Sequence, residues 1–246
     1  MGAILPLIVC LLACGCSPRP EPENLPAYRW TSDATALHDL SERAHAVKTV
    51  SAAAMLTLSR PDGQSVRLDG AVAMSLPDKS VRIRAWKLSQ AVFDLTLTPQ
   101  GLWIEMPHDA NRRQQVAPAS LSASQLARAL SIFGGEVFDG PDVQVIDRGG
   151  PQFQVRKPME AGRTMTADVD RRALVVRQYR LADASGVVHF TLTPKQYQTI
   201  NGLPWPTRLI ARSDTGTIDV ELRDIELNTA LPPGAFHPPR GAEKAP

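Results

Sequence analysis

The sequence predicts an α+β fold built on one highly curved antiparallel sheet of about eleven strands, accompanied by two helices. Three observations carry this. Apolar and polar residues alternate in segment after segment, so each strand has one apolar face and one wetted face. The segments are joined by short turns containing Pro, Gly and Asp, which suit hairpins rather than the long crossovers of parallel strands. Only two stretches have helical spacing, one ahead of the sheet and one inside it. No repeat or linker interrupts residues 48–227, and a twisted sheet of this many strands must curl or split.

The first helix opens at Ser32 or Asp33, either of which can cap it. Leu37, Leu40, Ala44 and Val47 recur at spacings of three and four, while His38, Asp39, Glu42, Arg43 and His45 form the opposite, solvated face. From Lys48 the period becomes two. Ala54, Leu56 and Leu58 lead to the turn Pro61-Asp62-Gly63, where Pro presets φ and Gly admits a positive one. Val66, Leu68, Gly70, Val72, Met74 and Leu76 alternate as far as Pro77-Asp78-Lys79. Val81, Ile83 and Ala85 alternate with Arg82 and Arg84. Phe93, Leu95 and Leu97 precede Pro99-Gln100-Gly101, and Leu102, Ile104 and Met106 follow.

The second helix reads from Ser122 to Phe133, with Leu126, Leu130 and Phe133 on one face and Gly134-Gly135 stopping it. Strands resume at residues 143–146, 153–156, 164–169, 173–181, 187–192, 207–212 and 217–227. The Pro-rich residues 232–246 are expected to be a disordered tail.

Charge excludes some classes of partner. The 27 basic and 25 acidic residues nearly cancel, so no nucleic-acid surface is expected. No uninterrupted apolar run reaches the ~18 residues of a membrane-spanning helix.

All three cysteines, Cys10, Cys14 and Cys16, sit at the end of the apolar stretch from Ala3 to Ala13, which has the length of a signal-peptide core. A body without cysteine has no disulfide and no thiolate-bound metal. Leu11-Leu12-Ala13-Cys14 resembles the lipobox of bacterial lipoproteins, and Ala13-Cys14-Gly15-Cys16 is a second register of it. The resemblance implies lipidation at Cys14, with Cys16 as the alternative. Gly15 or Ser17, rather than Asp, follows the cysteine, which implies the outer membrane, periplasmic face. An ordinary cleaved signal with incidental cysteines is the competing reading. Residues 1–16 are thus read as a lipoprotein signal, 17–31 as a Pro-rich tether and 32–231 as the folded domain.

The phrase Leu68-Asp69-Gly70-Ala71-Val72-Ala73-Met74-Ser75-Leu76-Pro77-Asp78-Lys79, the segment Phe93-Asp94-Leu95-Thr96-Leu97-Thr98-Pro99-Gln100-Gly101-Leu102-Trp103, and the later Asn201-Gly202-Leu203-Pro204-Trp205-Pro206 together resemble the LolA/LolB-like family. Ile225-Glu226-Leu227-Asn228 and Phe236 resemble its closing segment. The resemblance covers about residues 34–238. It implies an unclosed β-barrel with helices plugging the open side and acyl chains of lipoproteins held on the concave face. It also implies a protruding loop that inserts into the membrane. The nearest candidate runs from Trp86 to Val92, with Trp86 and Leu88 as its large apolar residues; alternatively both are strand residues packed on a helix.

The residues themselves point to the same face. Val81, Ile83, Phe93, Leu95, Leu97, Leu102, Ile104, Val188, Phe190 and Leu192 are expected to share the concave side and to form the ligand-binding surface. Medium aliphatics with only 5% aromatic residues suit a slot for flexible alkyl chains; a fully packed core is the alternative.

Other chemistry is thinly supported. His38, Glu42 and His45 could approach one another on a helix, but no His-Glu-x-x-His pattern is present. There is no Gly-x-Ser-x-Gly elbow, and His108 beside Asp109 reads as an exposed loop histidine. No glycine-rich phosphate loop occurs. Arg112-Arg113 and Arg171-Arg172 read as solubilising loop pairs. No catalytic residue, metal or cofactor is expected. Two functions are: an outer-membrane-anchored protein binding lipid or lipoprotein acyl chains, or a lipid-anchored envelope scaffold acting through a protein partner.

Overall fold

The structure is a computed structural model that describes residues 25–106 and 123–244. Helix α1 spans Asp33–Ala46 and helix α2 Ala123–Phe133. The strands are β1 Thr49–Ser59, β2 Ser65–Ser75, β3 Ser80–Lys87, β4 Gln90–Thr98, β5 Gly101–Glu105, β6 Gln144–Ile146, β7 Gln152–Pro158, β8 Thr164–Asp170, β9 Val175–Ala182, β10 Val188–Ile200, β11 Leu203–Ser213, β12 Gly216–Leu227 and β13 Glu243–Lys244.

All thirteen form one antiparallel sheet, in the order β13-β5-β4-β3-β2-β1-β12-β11-β10-β9-β8-β7-β6. Its two ends do not meet, so the sheet is an unclosed barrel. The first strand lies in the middle: β1 pairs β2 on one side and β12 on the other. On β1 the residues Val50, Ala52, Ala54, Leu56 and Leu58 are buried, and their neighbours in sequence are not. This is the period-two pattern expected of a sheet with one covered face.

Helix α1 is capped by Ser32, whose hydroxyl accepts from the Thr35 amide at 3.1 Å. It buries Ala36 and Leu40. Its opposite face is less solvated than the sequence suggests. Arg43 donates to the carbonyls of Ala173 and Leu174 and lies over the Tyr28 ring. Tyr28 donates to Asp39 at 2.7 Å; burial and that carboxylate push its phenol up to about 12. The last residues of the expected tether are therefore docked. The Tyr28 amide donates to the Arg172 carbonyl, and Trp30 meets Phe153 edge-on at 4.9 Å. Arg171, read as a solubilising loop residue, stacks on Trp30 at 4.2 Å and pairs with Asp147.

Two further differences have local causes. The sequence reading ends β10 at Leu192 and starts β11 at Thr207, but the hairpin runs to Ile200 and back from Leu203. Pro194, Pro204 and Pro206 argue against central strand, yet all three pair within it. The turn at its tip is Asn201-Gly202, with φ of 50° and 81°, the residue pair best suited to a tight hairpin. The thirteenth strand comes from the tail expected to be disordered. Arg82 holds that tail by donating to the Ala235 carbonyl at 3.1 Å while forking onto Asp94 at 2.9 and 2.7 Å. Glu243 and Lys244 then pair with Ile104 and Trp103.

Candidate functional site: a cavity beneath the second helix

Helix α2 crosses the concave face. Leu126, Ala129, Leu130 and Phe133 point into a cavity of about 120 Å3 between helix and sheet. Opposite them stand Leu56, Val72 and Met74 from β1 and β2, and Val81 and Ile83 from β3. Phe190 and Leu192 of β10, Leu209 and Ala211 of β11, and Ile218, Val220 and Leu222 of β12 complete the wall. Only Arg212, Ser213 and Gly216, at the β11–β12 turn, break the apolar lining. The polar residues of the lining gather at that turn, which marks it as the mouth. A side chain at Gly216 would collide with the carbonyl oxygen of Ser59, so the lip stays bare there.

A second cavity, of about 80 Å3, lies between α1, the end of α2 and β9–β11. Phe133 lines both. The Trp205 indole faces this second space, and its buried Nε1 has no hydrogen-bond acceptor. A larger, shallower groove of about 630 Å3 sits at the far end of the sheet, between the β2–β3 and β4–β5 turns and the tail residues Phe236–Pro238. It is open and partly polar, and it does not adjoin the hollow.

The ten residues expected to form the ligand surface divide. Val81, Ile83, Phe190 and Leu192 line the cavity. Phe93, Leu95, Leu97 and Leu102 are buried in the core away from it, and Ile104 is partly buried against that core. Helix α2 packs on β3 and β4, which seals this part of the concave face. Val188 is a correction: it is 44% exposed. The pairing of β10 with β9 is irregular between Val188 and Phe190, so the alternation that buries Phe190 does not carry through to the strand's first residue. The lining from β1, β2, β11 and β12 was visible as alternation, but nothing in the sequence says that β12 lies beside β1.

The candidate insertion loop divides too. Trp86 is a half-buried strand residue. Leu88 is at the tip of the β3–β4 hairpin and is 88% exposed. Leu88 and Ser89 have φ of 50° and 63°, the left-handed turn that favours Asn-Gly and disfavours a bulky side chain.

Of the residues weighed for metal, His45 instead pairs with Asp139 at 3.1 Å, and His38 and Glu42 are exposed. Among the described residues no cluster of His, Cys, Asp or Glu could hold a metal ion, and no helix is long and apolar enough to cross a membrane. The cysteines Cys10, Cys14 and Cys16, His108, Asp109 and the Arg112-Arg113 pair lie outside the described residues.

No protein-family profile matches the chain, and no curated protein matches it. Solved structures do. A LolA superfamily protein from Nitrosomonas europaea is 14% identical with a TM-score of 0.55, covering 84% of this chain and 98% of that one. An outer membrane lipoprotein-sorting protein domain from Vibrio parahaemolyticus is 10% identical with a TM-score of 0.56, covering 82% and 95%. A DUF1329 family protein from Desulfovibrio piger is 9% identical with a TM-score of 0.59, covering 84% and 98%. The chain thus has the fold of LolA superfamily proteins, an unclosed antiparallel barrel with helices across its open side.

Proposed function

We propose that this protein is an envelope lipoprotein, anchored at the periplasmic face of the outer membrane through Cys14 or Cys16, that takes acyl chains of lipids or lipoproteins into the hollow beneath α2. One observation supports this reading above the others. The large apolar residues exposed among the described residues are Leu88, Met159, Val187 and Val188, at 88%, 37%, 55% and 44%. All four lie in or beside hairpin connections at one end of the sheet, and the β11–β12 lip of the cavity is at that same end. An apolar rim around an apolar slot suits a surface that meets a membrane or an acylated cargo.

The energetics suit transfer. Each buried methylene contributes about 0.8 kcal/mol, so a chain can be held and then released without covalent chemistry. The tether is long enough. The chain from Cys14 to Tyr28 can span at most about 50 Å, more than the ~37 Å rise of an eleven-residue strand such as β1. Tyr28 docks at the β8–β9 turn, opposite the mouth, and that reach still lets the mouth face the anchoring membrane.

A second reading rests on the cavity's size, which is below the ~300–1,000 Å3 of most ligand sites. On that reading the protein is a lipid-anchored envelope scaffold, and its rim binds another protein. Lipid analysis separates the two. The full chain is purified in CHAPS, which has no long alkyl chain, and extracted lipids are quantified by mass spectrometry. Near-stoichiometric acyl lipid beyond the anchor's own supports the first reading. None, together with no binding of an added fluorescent fatty acid, refutes it.

A further inference from the structure

We propose that the hollow selects amphiphiles with an anionic head, a carboxylate or a phosphate, bound at its mouth by Arg128 and Arg163. This rests on the acyl-binding reading and names the ligand class.

The two cations come from different elements and lie at the same end of the concave face. Arg128 lies on α2, in the turn that also sends Leu126 and Ala129 into the cavity. Its guanidinium stands over the ring of Phe190, at 5.5 Å from the centroid, and Phe190 is a wall residue. Arg163 leads into β8. Register carries Phe190 across to Leu181 of β9 and on to Met165 of β8. Arg163, extended and two residues before the buried Met165, starts on the same concave face at the mouth end.

Neither cation has a carboxylate partner among the described residues. The Nε of Arg163 makes a long contact of 3.4 Å to the Glu160 backbone carbonyl, and Arg128 stands over the Phe190 ring. Two acids at this end of the sheet are engaged elsewhere: Asp183 accepts from His189 at 2.8 Å, and Asp214 lies 3.6 Å from the same ring; Glu160 is exposed and reaches Arg163 through its backbone carbonyl. Burial, and then the charge of Arg163, lower the proton affinity of Arg128. Two like charges near one another, part-buried and without a carboxylate partner among the described residues, are costly when empty and favourable when an anion sits between them. The elsewhere apolar lining leaves the chain of such a ligand to the hollow and its head to the arginines. Guanidinium forks fit both carboxylate and phosphate oxygens.

The test holds the chain constant and varies the head. Full-length protein in CHAPS is loaded with the fluorescent fatty acid 11-(dansylamino)undecanoic acid. Hexadecanoate, hexadecyl phosphate, hexadecanol and hexadecyltrimethylammonium then compete for it. The anions should displace the probe at least about tenfold better than the alcohol, and the better of the two anions identifies the natural head. Arg128→Gln and Arg163→Gln should each lower anion binding several-fold and leave hexadecanol unchanged, and Arg128→Lys should retain part of the preference. Circular-dichroism melting confirms that each variant is folded. Equal displacement by all four competitors, or equal weakening of all four in a folded variant, overturns the anion site and leaves the acyl cavity standing. Failure of the protein to bind the probe and all four competitors overturns both.

Discussion

Phe133 packs against Trp205 with ring centroids 5.4 Å apart, and Phe133 is the side chain that the two cavities beneath the sheet share. The hollow is therefore partitioned by the last residue of α2, at the point where Gly134 and Gly135 end the helix. Such a partition sets how deep a chain can reach.

Removing the partition should lengthen the slot. Phe133→Ala is expected to join the two spaces and shift preference toward longer alkyl chains, measured by displacement with a series of fatty acids of increasing length. It should also destabilise the protein by about 2 kcal/mol in urea unfolding, less than for a fully buried Phe because Phe133 is only part-buried. An unchanged length preference would show that the ligand stops short of Phe133.

The β3–β4 tip separates stability from membrane contact. Leu88 and Ser89 hold the left-handed conformation that Asn201 and Gly202 hold in the β10–β11 turn. Replacing Leu88-Ser89 with Asn-Gly should relieve backbone strain and stabilise the protein by about 1 kcal/mol. The same change should reduce flotation with phospholipid vesicles. Improved melting with undiminished flotation would exclude Leu88 as the membrane contact.

The β9–β10 turn, which carries Val187 and Val188, should respond to pH. Hydrogen bonds from Ser185 and His189 hold the Asp183 carboxyl well below the usual range. The bond to Asp183 in turn raises His189 above its ordinary value. Asp183's contribution is present above its unfolded value and fades as pH falls through its lowered one. His189's contribution is complete below its unfolded value and fades as pH rises through its raised one. The tie is therefore fullest between about pH 4 and 6.5, and added salt weakens it because both groups are near the surface. An NMR titration of His189 should show a midpoint above 6.5 that moves back toward the ordinary value in Asp183→Asn.

The closing tail depends on one arginine. Arg82 bonds both Asp94 oxygens and the Ala235 carbonyl, and Lys244 lies over Trp103 at 5.6 Å. Arg82→Ala leaves Asp94 with the more exposed Arg84 and the tail without its mid-point bond. Limited proteolysis should then remove residues after Ala235 several times faster than in the wild type. Equal rates would mean that the pairing of β13 alone holds the tail.

Much of this architecture is written in local sequence pattern. Strict alternation on β1, β2 and β3 identified the buried face of each strand, because a period of two leaves each side chain only two directions. Ser32 and Asp33 bracketed the start of α1, with the structure choosing Ser32 as the cap, and Leu126, Leu130 and Phe133 marked the inner face of α2. Other features were hidden for specific reasons. The prolines of β10 and β11 concealed a long hairpin, since local preference argues against strand there. The irregular pairing at Val188 turned an expected wall residue outward.

What the sequence determined by itself is direction: which side chains of a strand share its apolar face, where most of the hairpins turn, and that the three cysteines cluster at the end of an apolar stretch. Tertiary structure alone decided adjacency. Pairing β12 with β1 put the last long strand beside the first and made Leu222, Val220 and Ile218 part of the same wall as Leu56. Placing α2 over β3 and β4 closed the region around Leu95 and left open the one around Leu192. The physical reason is that alternation is a property of neighbours along the chain, whereas a cavity is the space left between elements distant in sequence, and only their packing sets how much of it is filled.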